Sequence, residues 1–254
     1  MSNATTDTDS KRERSNTMRH AAALLALAAV TMILAAACAT SQARELQTES
    51  ESVALGDAES VRANLKMAAG ELKVGAGSDS LMEADFAYNV ANWQPKVSYD
   101  DASSGIGTLS VEQPHEITGM SDDERNEWDI RLNDGVPTDL RVAMGAGESD
   151  LDLSNLTLTN LDLGVGAGPS TVDLAGDWTT DVDASIQGGA GETTVRLPSR
   201  MGVKVDVASG LGEVRVEGLD RHGDAYVNAA YGESEATLNV DIEGGVGQIR
   251  LEVV

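Results

Sequence analysis

The chain has 254 residues, room for one or two domains, and sets 18 Lys plus Arg against 42 Asp plus Glu, a formal net charge of −24. Nucleic acid and anionic lipid surfaces carry the same sign and are poor partners for it; an acidic excess is also what a saline habitat favours. One Cys and eight aromatic residues leave no intramolecular disulfide, no structural zinc site, no thiol catalyst and few rings for stacking sugars or bases.

Residues 1–38 read as a secretory signal rather than as fold. Lys11, Arg12, Arg14 and Arg19 precede the apolar run Ala21 to Ala37, which ends at Cys38. This predicts an N-terminal signal helix, with Met1 or Met18 as the start. The run of 17 residues is shorter than the roughly 20 of a spanning helix. Ile33-Leu34-Ala35-Ala36-Ala37-Cys38 resembles the lipobox of bacterial lipoproteins, with Ala35 where that family prefers Leu. The resemblance implies cleavage before Cys38, lipidation of its thiol and a membrane-anchored, extracytoplasmic protein, on the outer membrane in a cell with two. Taking away the four basic and three acidic residues of 1–38 leaves 14 Lys plus Arg and 39 Asp plus Glu.

Residues 39–52 (ATSQARELQTESES) are polar and predict a mobile tether. The fold is expected over 53–254. Val61, Ala63, Leu65 and Met67 alternate, and Leu72 and Val74 follow Gly70. Phe86 and Tyr88 mark the next strand. Val97 and Tyr99 run through a polar turn to Leu109 and Val111, a predicted hairpin. Residues 113–127 are the longest break. Trp128, Ile130 and Leu132 lead to the turn Asn133-Asp134-Gly135.

From Leu140 one pattern recurs: alternating apolar residues, Gly-x-Gly, then a second alternating strand. The glycine pairs are Gly145 and Gly147, Gly166 and Gly168, Gly189 and Gly191, Gly210 and Gly212, and Gly245 and Gly247. Their second members are spaced 21, 23, 21 and 35 residues apart. A period in this range marks stacked repeats. Period-two alternation makes the pieces strands, and Gly permits the turn and close backbone approach. The predicted fold class is therefore all-β, a stacked-repeat, solenoid-like β-helix with Gly-x-Gly turns; an antiparallel sandwich with Gly-rich hairpins would space its strands similarly. Gly145, Gly147, Gly166, Gly168, Gly189 and Gly191 are read as structural turns. The 35-residue step contains Leu219 to Tyr231, an expected extra loop and strand closing one end.

Several motifs resemble the bacterial toast-rack family. Gly70-Glu71-Leu72-Lys73-Val74 and Leu81-Met82-Glu83-Ala84-Asp85-Phe86 are similar to its opening elements. The segment from Asp139 to Gly168 is similar to its paired GAG repeats, and that from Ala229 to Val253 to its closing strand. The resemblance covers about 60–254. That family is similar to the extracytoplasmic part of LiaF-like proteins of the cell-wall-active antibiotics response. The resemblance implies an all-β stack, no known enzyme activity and a role at the cell envelope.

Chemistry-bearing motifs are few. His115 and His222 lie in polar stretches with no second His or Cys at ligand spacing, and no cofactor or metal is expected. GGxGxD repeats can hold calcium between coils, but Gly188-Gly189-Ala190-Gly191 is followed by Glu192. A carbohydrate-active extracytoplasmic hydrolase with an acidic site is the alternative function, although no two of the 39 carboxylates stand out. The favoured function is a non-enzymatic, lipid-anchored binding or scaffold module linked to the envelope-stress response. If coils stack in chain order, Asp152, Asp173, Arg196, Arg215 and Arg250 form one outward ladder. Arg196, Arg215 and Arg250 are then either paired with nearby acids or a strip for an envelope protein or polyanion.

Overall fold

Four of the five Gly-x-Gly sites of the repeat lie inside one continuous strand, and at the fifth, Gly166 to Gly168, the strand ends at Ala167 and resumes at Ser170. The computed structural model describes residues 45–100, 105–114 and 123–254. The signal, Cys38 and His115 lie outside the described residues. In chain order the strands are β1 (Gln47–Val53), β2 (Ser60–Ala76), β3 (Met82–Tyr88), β4 (Lys96–Asp100), β5 (Ile106–Glu112), β6 (Asn126–Leu132) and β7 (Thr138–Asp152). Then come β8 (Leu158–Ala167), β9 (Ser170–Asp173), β10 (Val182–Leu197), β11 (Gly202–Glu217), β12 (Asp220–His222), β13 (Ala225–Val227) and β14 (Thr237–Val253). Among the described residues the helical content is one 3-10 turn, Ala91–Trp93.

Four of the Gly-x-Gly sites are therefore bends within strands, and the one at Gly166 to Gly168 joins β8 to β9 in the same direction. The alternation records this. In β7 the buried residues are Leu140, Val142 and Met144 before the bend, and Ser149 and Leu151 after it. The inward-facing parity switches from even to odd. β10 switches likewise between Ile186 and Thr193, and β14 between Ile242 and Ile249. Strict alternation continued through the bend would turn one half outward. The switch lets both halves face a common core.

The long strands stack in parallel with matched register. Before the bend one apolar row runs Leu109–Ala63–Leu140–Leu161–Ala184–Val240–Val205. After it a second runs Ile130–Val74–Leu151–Val172–Val195–Leu251–Val216. Nearly all of these side chains are buried in one cluster, and fully burying each Val, Leu or Ile contributes about 1.5–3 kcal/mol. Leu153, Leu156, Leu174 and Leu197, beyond the second row, are buried in the same cluster, and Trp178 Nε1 donates to the Leu156 carbonyl at 2.6 Å. Pro169, which has no N–H to give, separates β8 from β9.

Two expectations change here. The segment 39–52 is not a tether throughout: from Gln47 it is strand, paired antiparallel to β3 from Gln47↔Tyr88 to Val53↔Met82. Its Glu/Ser alternation has no apolar face because it is an edge strand. The coils also do not stack in chain order. The sheet order is β7-β8-β10-β14-β11, so the last long strand inserts between the two before it. The 35-residue step makes this passage possible. Its β12–β13 hairpin lies antiparallel on β11 at Lys204↔Val227 and Val205↔Tyr226. Asn228 fastens it by donating to the carbonyls of Pro198 and Met201 and accepting from Val203 N–H.

Candidate functional site

Arg196, Arg215 and Arg250 lie on one outer face, on the neighbouring strands β10, β11 and β14, but not in one row. Arg215 is register partner to Arg250, whereas Arg196 is opposite Glu252, two residues further on. One row reads Asp152–Asp173–Arg196–Glu252–Glu217; the next reads Asp150–Thr171–Thr194–Arg250–Arg215. The predicted single ladder is split because β14 and β11 carry their arginines two residues earlier in the register than β10 does. Every arginine of the three meets a carboxylate. Arg196 is 3.6 Å from Asp173, Arg215 is 3.1 Å from Glu213, and Arg250 is 3.2 Å from Glu192 and 3.8 Å from Glu252. The hydrogen bond and charge of Arg215 hold Glu213 below the usual carboxylate range, and Arg215 is raised by the same two causes. The Arg250 Nε is buried without a hydrogen-bond partner.

The glycines build the bends by packing backbone on backbone. A Cβ on Gly147 would overlap the carbonyl oxygen of Gly70, and one on Gly168 that of Gly147. Gly145, Gly166, Gly189 and Gly191 meet the carbonyls of Ala68, Gly145, Gly166 and Gly168 in the same way. Gly147, Gly168 and Gly191 also have φ of 122°, 121° and 143°, a region L side chains rarely adopt.

Two further features lie at the bends. The middle residues of the bends are register partners, Ala146–Ala167–Ala190–Val246–Leu211, and all are exposed. The signal was available, since the middle residue of each Gly-x-Gly grows from Ala to Val and Leu only in the last two copies. At the opposite end the bend of β2 is plugged by side chains. Asn126, 1% exposed, donates to the Ala69 carbonyl and to Gln113 Oε1, and accepts from Trp128 Nε1. Gln113 Oε1 also accepts from Ala68 N–H.

Carboxylates do gather on the outer face of β2, β6 and β3, around a shallow hollow lined by Glu71, Lys73, Asp85, Glu127 and Asp129. Ser50 donates to Asp85 at 2.6 Å, and Arg125 pairs with Glu127. Among the described residues no group of three or more His, Cys, Asp and Glu could hold a metal ion. His222 is exposed at the end of β12.

The family described as the N-terminal domain of toast_rack, DUF2154, matches residues 42–196. The chain belongs to the toast-rack family. A solved "putative cell adhesion protein" from Clostridium sporogenes ATCC 15579 is 34% identical to this toast-rack chain. It overlaps 83% of this chain and 100% of its own, with a TM-score of 0.80. A "putative adhesin" from Bacteroides fragilis NCTC 9343 is 13% identical over 82% of this chain and 97% of its own, with a TM-score of 0.31. No curated protein matches.

Proposed function

We propose that this toast-rack protein is a non-enzymatic binding or scaffold module of the cell envelope, held to a membrane by lipid on Cys38. The observation that carries the reading is the 34% identity to a putative cell adhesion protein along that protein's whole length. The physical form agrees with it. The interior is filled by stacked aliphatic rows, and the polar surface is the outside of two half-sheets. Such a body offers extended outer faces to a partner. The basic and apolar N-terminus supports an extracytoplasmic place, and the LiaF-like resemblance supports a part in the envelope-stress response. A polyanion docking on Arg196, Arg215 and Arg250 has to displace carboxylates already in place, so we assign these arginines to local pairing, worth about 0–1 kcal/mol per exposed pair.

The experiment is capture from intact cells. The chain is crosslinked in place, purified under denaturing conditions and examined for covalently attached envelope components. The reading expects a discrete component in stoichiometric yield, retained when Arg196 and Arg250 are both replaced by Glu. Recovery of the chain alone, in cells where it is folded and exported, contradicts the binding role.

A further inference from the structure

The two ends of the toast-rack stack are finished differently. At the β2 end the half-sheet before the bend is covered by β5 and β4, and the half after it by β6, β3 and β1. Asn126 and Gln113 fill the bend between them. At the β11 end the β12–β13 hairpin covers only the first half, at Lys204 and Val205. Beyond it β11 pairs with β14 alone. Stacked-repeat proteins need a cap on the terminal repeat, and half of this one has none among the described residues. Val207, Val214 and Val216 are only partly buried, and Leu211 is 75% exposed.

The direction of the backbone groups on this edge follows from the ladder. Asp173 O accepts from Leu153 N–H and Arg196 O from Leu174 N–H, so residues at this level turn back toward the preceding coil. Glu217 is at the same level on β11. By alternation, Gly212, Val214 and Val216 turn their N–H and C=O groups to the free edge.

We infer that the free edge of β11 pairs antiparallel with the same edge of a second copy, centred on Val214. This register sets Val214 against its own counterpart and Gly212 against Val216, so the free backbone groups satisfy one another. It sets Glu213 against Arg215 twice, once on each side of the axis. Those two positions fall at the non-hydrogen-bonded sites, where facing side chains are closest. On the inner face Val214 meets Val214, and the two open cores join.

Charge complementarity selects this occupant over a head-to-tail copy. β1 runs in the same direction as β11 and could add to it in parallel, giving an open stack. But β1 presents Ser50 and Ser52 outward, which supply no base for Glu213. It presents Glu49 and Glu51 inward, in register with Phe86 and Ala84, and these acids would be driven against Val214 and Val216. β1 is a protected edge and β11 is not. The net charge of −24 makes the bodies repel, but salt near 0.15 M screens that repulsion beyond about 8 Å.

The test is sedimentation of the full chain in detergent, with a melting curve recorded for each variant. The wild type is expected as two chains per particle. Arg215→Glu sets two acids opposite each other and is expected to give one chain. Adding Glu213→Arg to it restores the complementary pairs and is expected to return two. Val214→Pro removes an edge N–H without touching the β14 ladder and is expected to give one chain that still melts cooperatively, at a lower temperature because its packing on the core and its partner are both lost. A wild type of one chain, an Arg215→Glu variant that still pairs, or a wild-type series of ever larger stacks each overturns the proposal.

Discussion

Gly168 rests directly on Gly147: a Cβ on the first would overlap the carbonyl oxygen of the second. That contact repeats from coil to coil, so the bends are columns of backbone packed on backbone. It makes the glycine requirement a property of the stack and not of one loop.

The first prediction follows from it. Gly168→Val adds both the overlap and a branched side chain at φ 121°. A loss of at least about 3 kcal/mol is expected, roughly 6–12 °C in Tm for a domain of this size. Gly164→Ala is the comparison, because a Cβ there has nothing within 4 Å. Calorimetry of the two should separate them clearly; equal melts would mean that the bends tolerate side chains.

Asn126 holds three groups that have no other coil to meet. Asn126→Ala strips the acceptor from Trp128 Nε1, the side-chain donor from Ala69 O and one of the two donors from Gln113 Oε1, all at a buried site. A loss of roughly 2–4 kcal/mol is expected, with a shift in Trp fluorescence. Asn160→Ala, which gives up one partly buried bond to Asp139, should lose less than about 1 kcal/mol.

Tyr88 gives the fold an alkaline limit. Burial raises its pKa above the ordinary phenol value, helped by the charge of Glu49 and by the hydrogen bond to it. A pKa raised in the folded state means that the unfolded chain ionises first. The contribution is complete below pH 10 and is lost as pH climbs through the folded pKa. Phenolate absorbance should show Tyr88 titrating above the ordinary phenol range, assigned by its loss in Tyr88→Phe. Glu49→Gln should lower the pKa of that group, and an unmoved titration would leave Glu49 with no part in it.

Cys38→Ser tests the anchor. The expected result is an uncleaved precursor in the membrane fraction, because the lipid-dependent cut needs the thiol. A variant processed and fractionated like the parent would remove lipidation from the account.

Much of this was legible because the physics was local. Alternation over Val61–Met67 and Trp128–Leu132 marked strands, and the Val97–Val111 hairpin appears as β4 paired with β5 through Val97↔Val111 and Tyr99↔Leu109. Asn133-Asp134-Gly135 closes by its own side chain, with Gly135 N–H donating to Asn133 Oδ1 at 3.0 Å. What stayed hidden was lateral. No local pattern says that β14 enters between β10 and β11. The parity switch across each Gly-x-Gly was present in the sequence, yet a turn and a bend leave nearly the same trace. β1 looks like a tether in the sequence because an edge strand of Glu and Ser has no alternating apolar face to mark it. The arginine ladder failed for the same lateral reason: its rows depend on strand order.

The central claim is that the molecule works by holding a partner and not by turning one over. The most direct measurement incubates the purified chain with isolated envelope from its own cells. It then quantifies both what remains bound and what is released as soluble fragments. The account predicts saturable binding and no fragments above the level given by buffer. Fragment release that continues with time and stops in Glu71→Gln or Glu127→Gln would contradict it and point to the acidic hollow as a hydrolytic site.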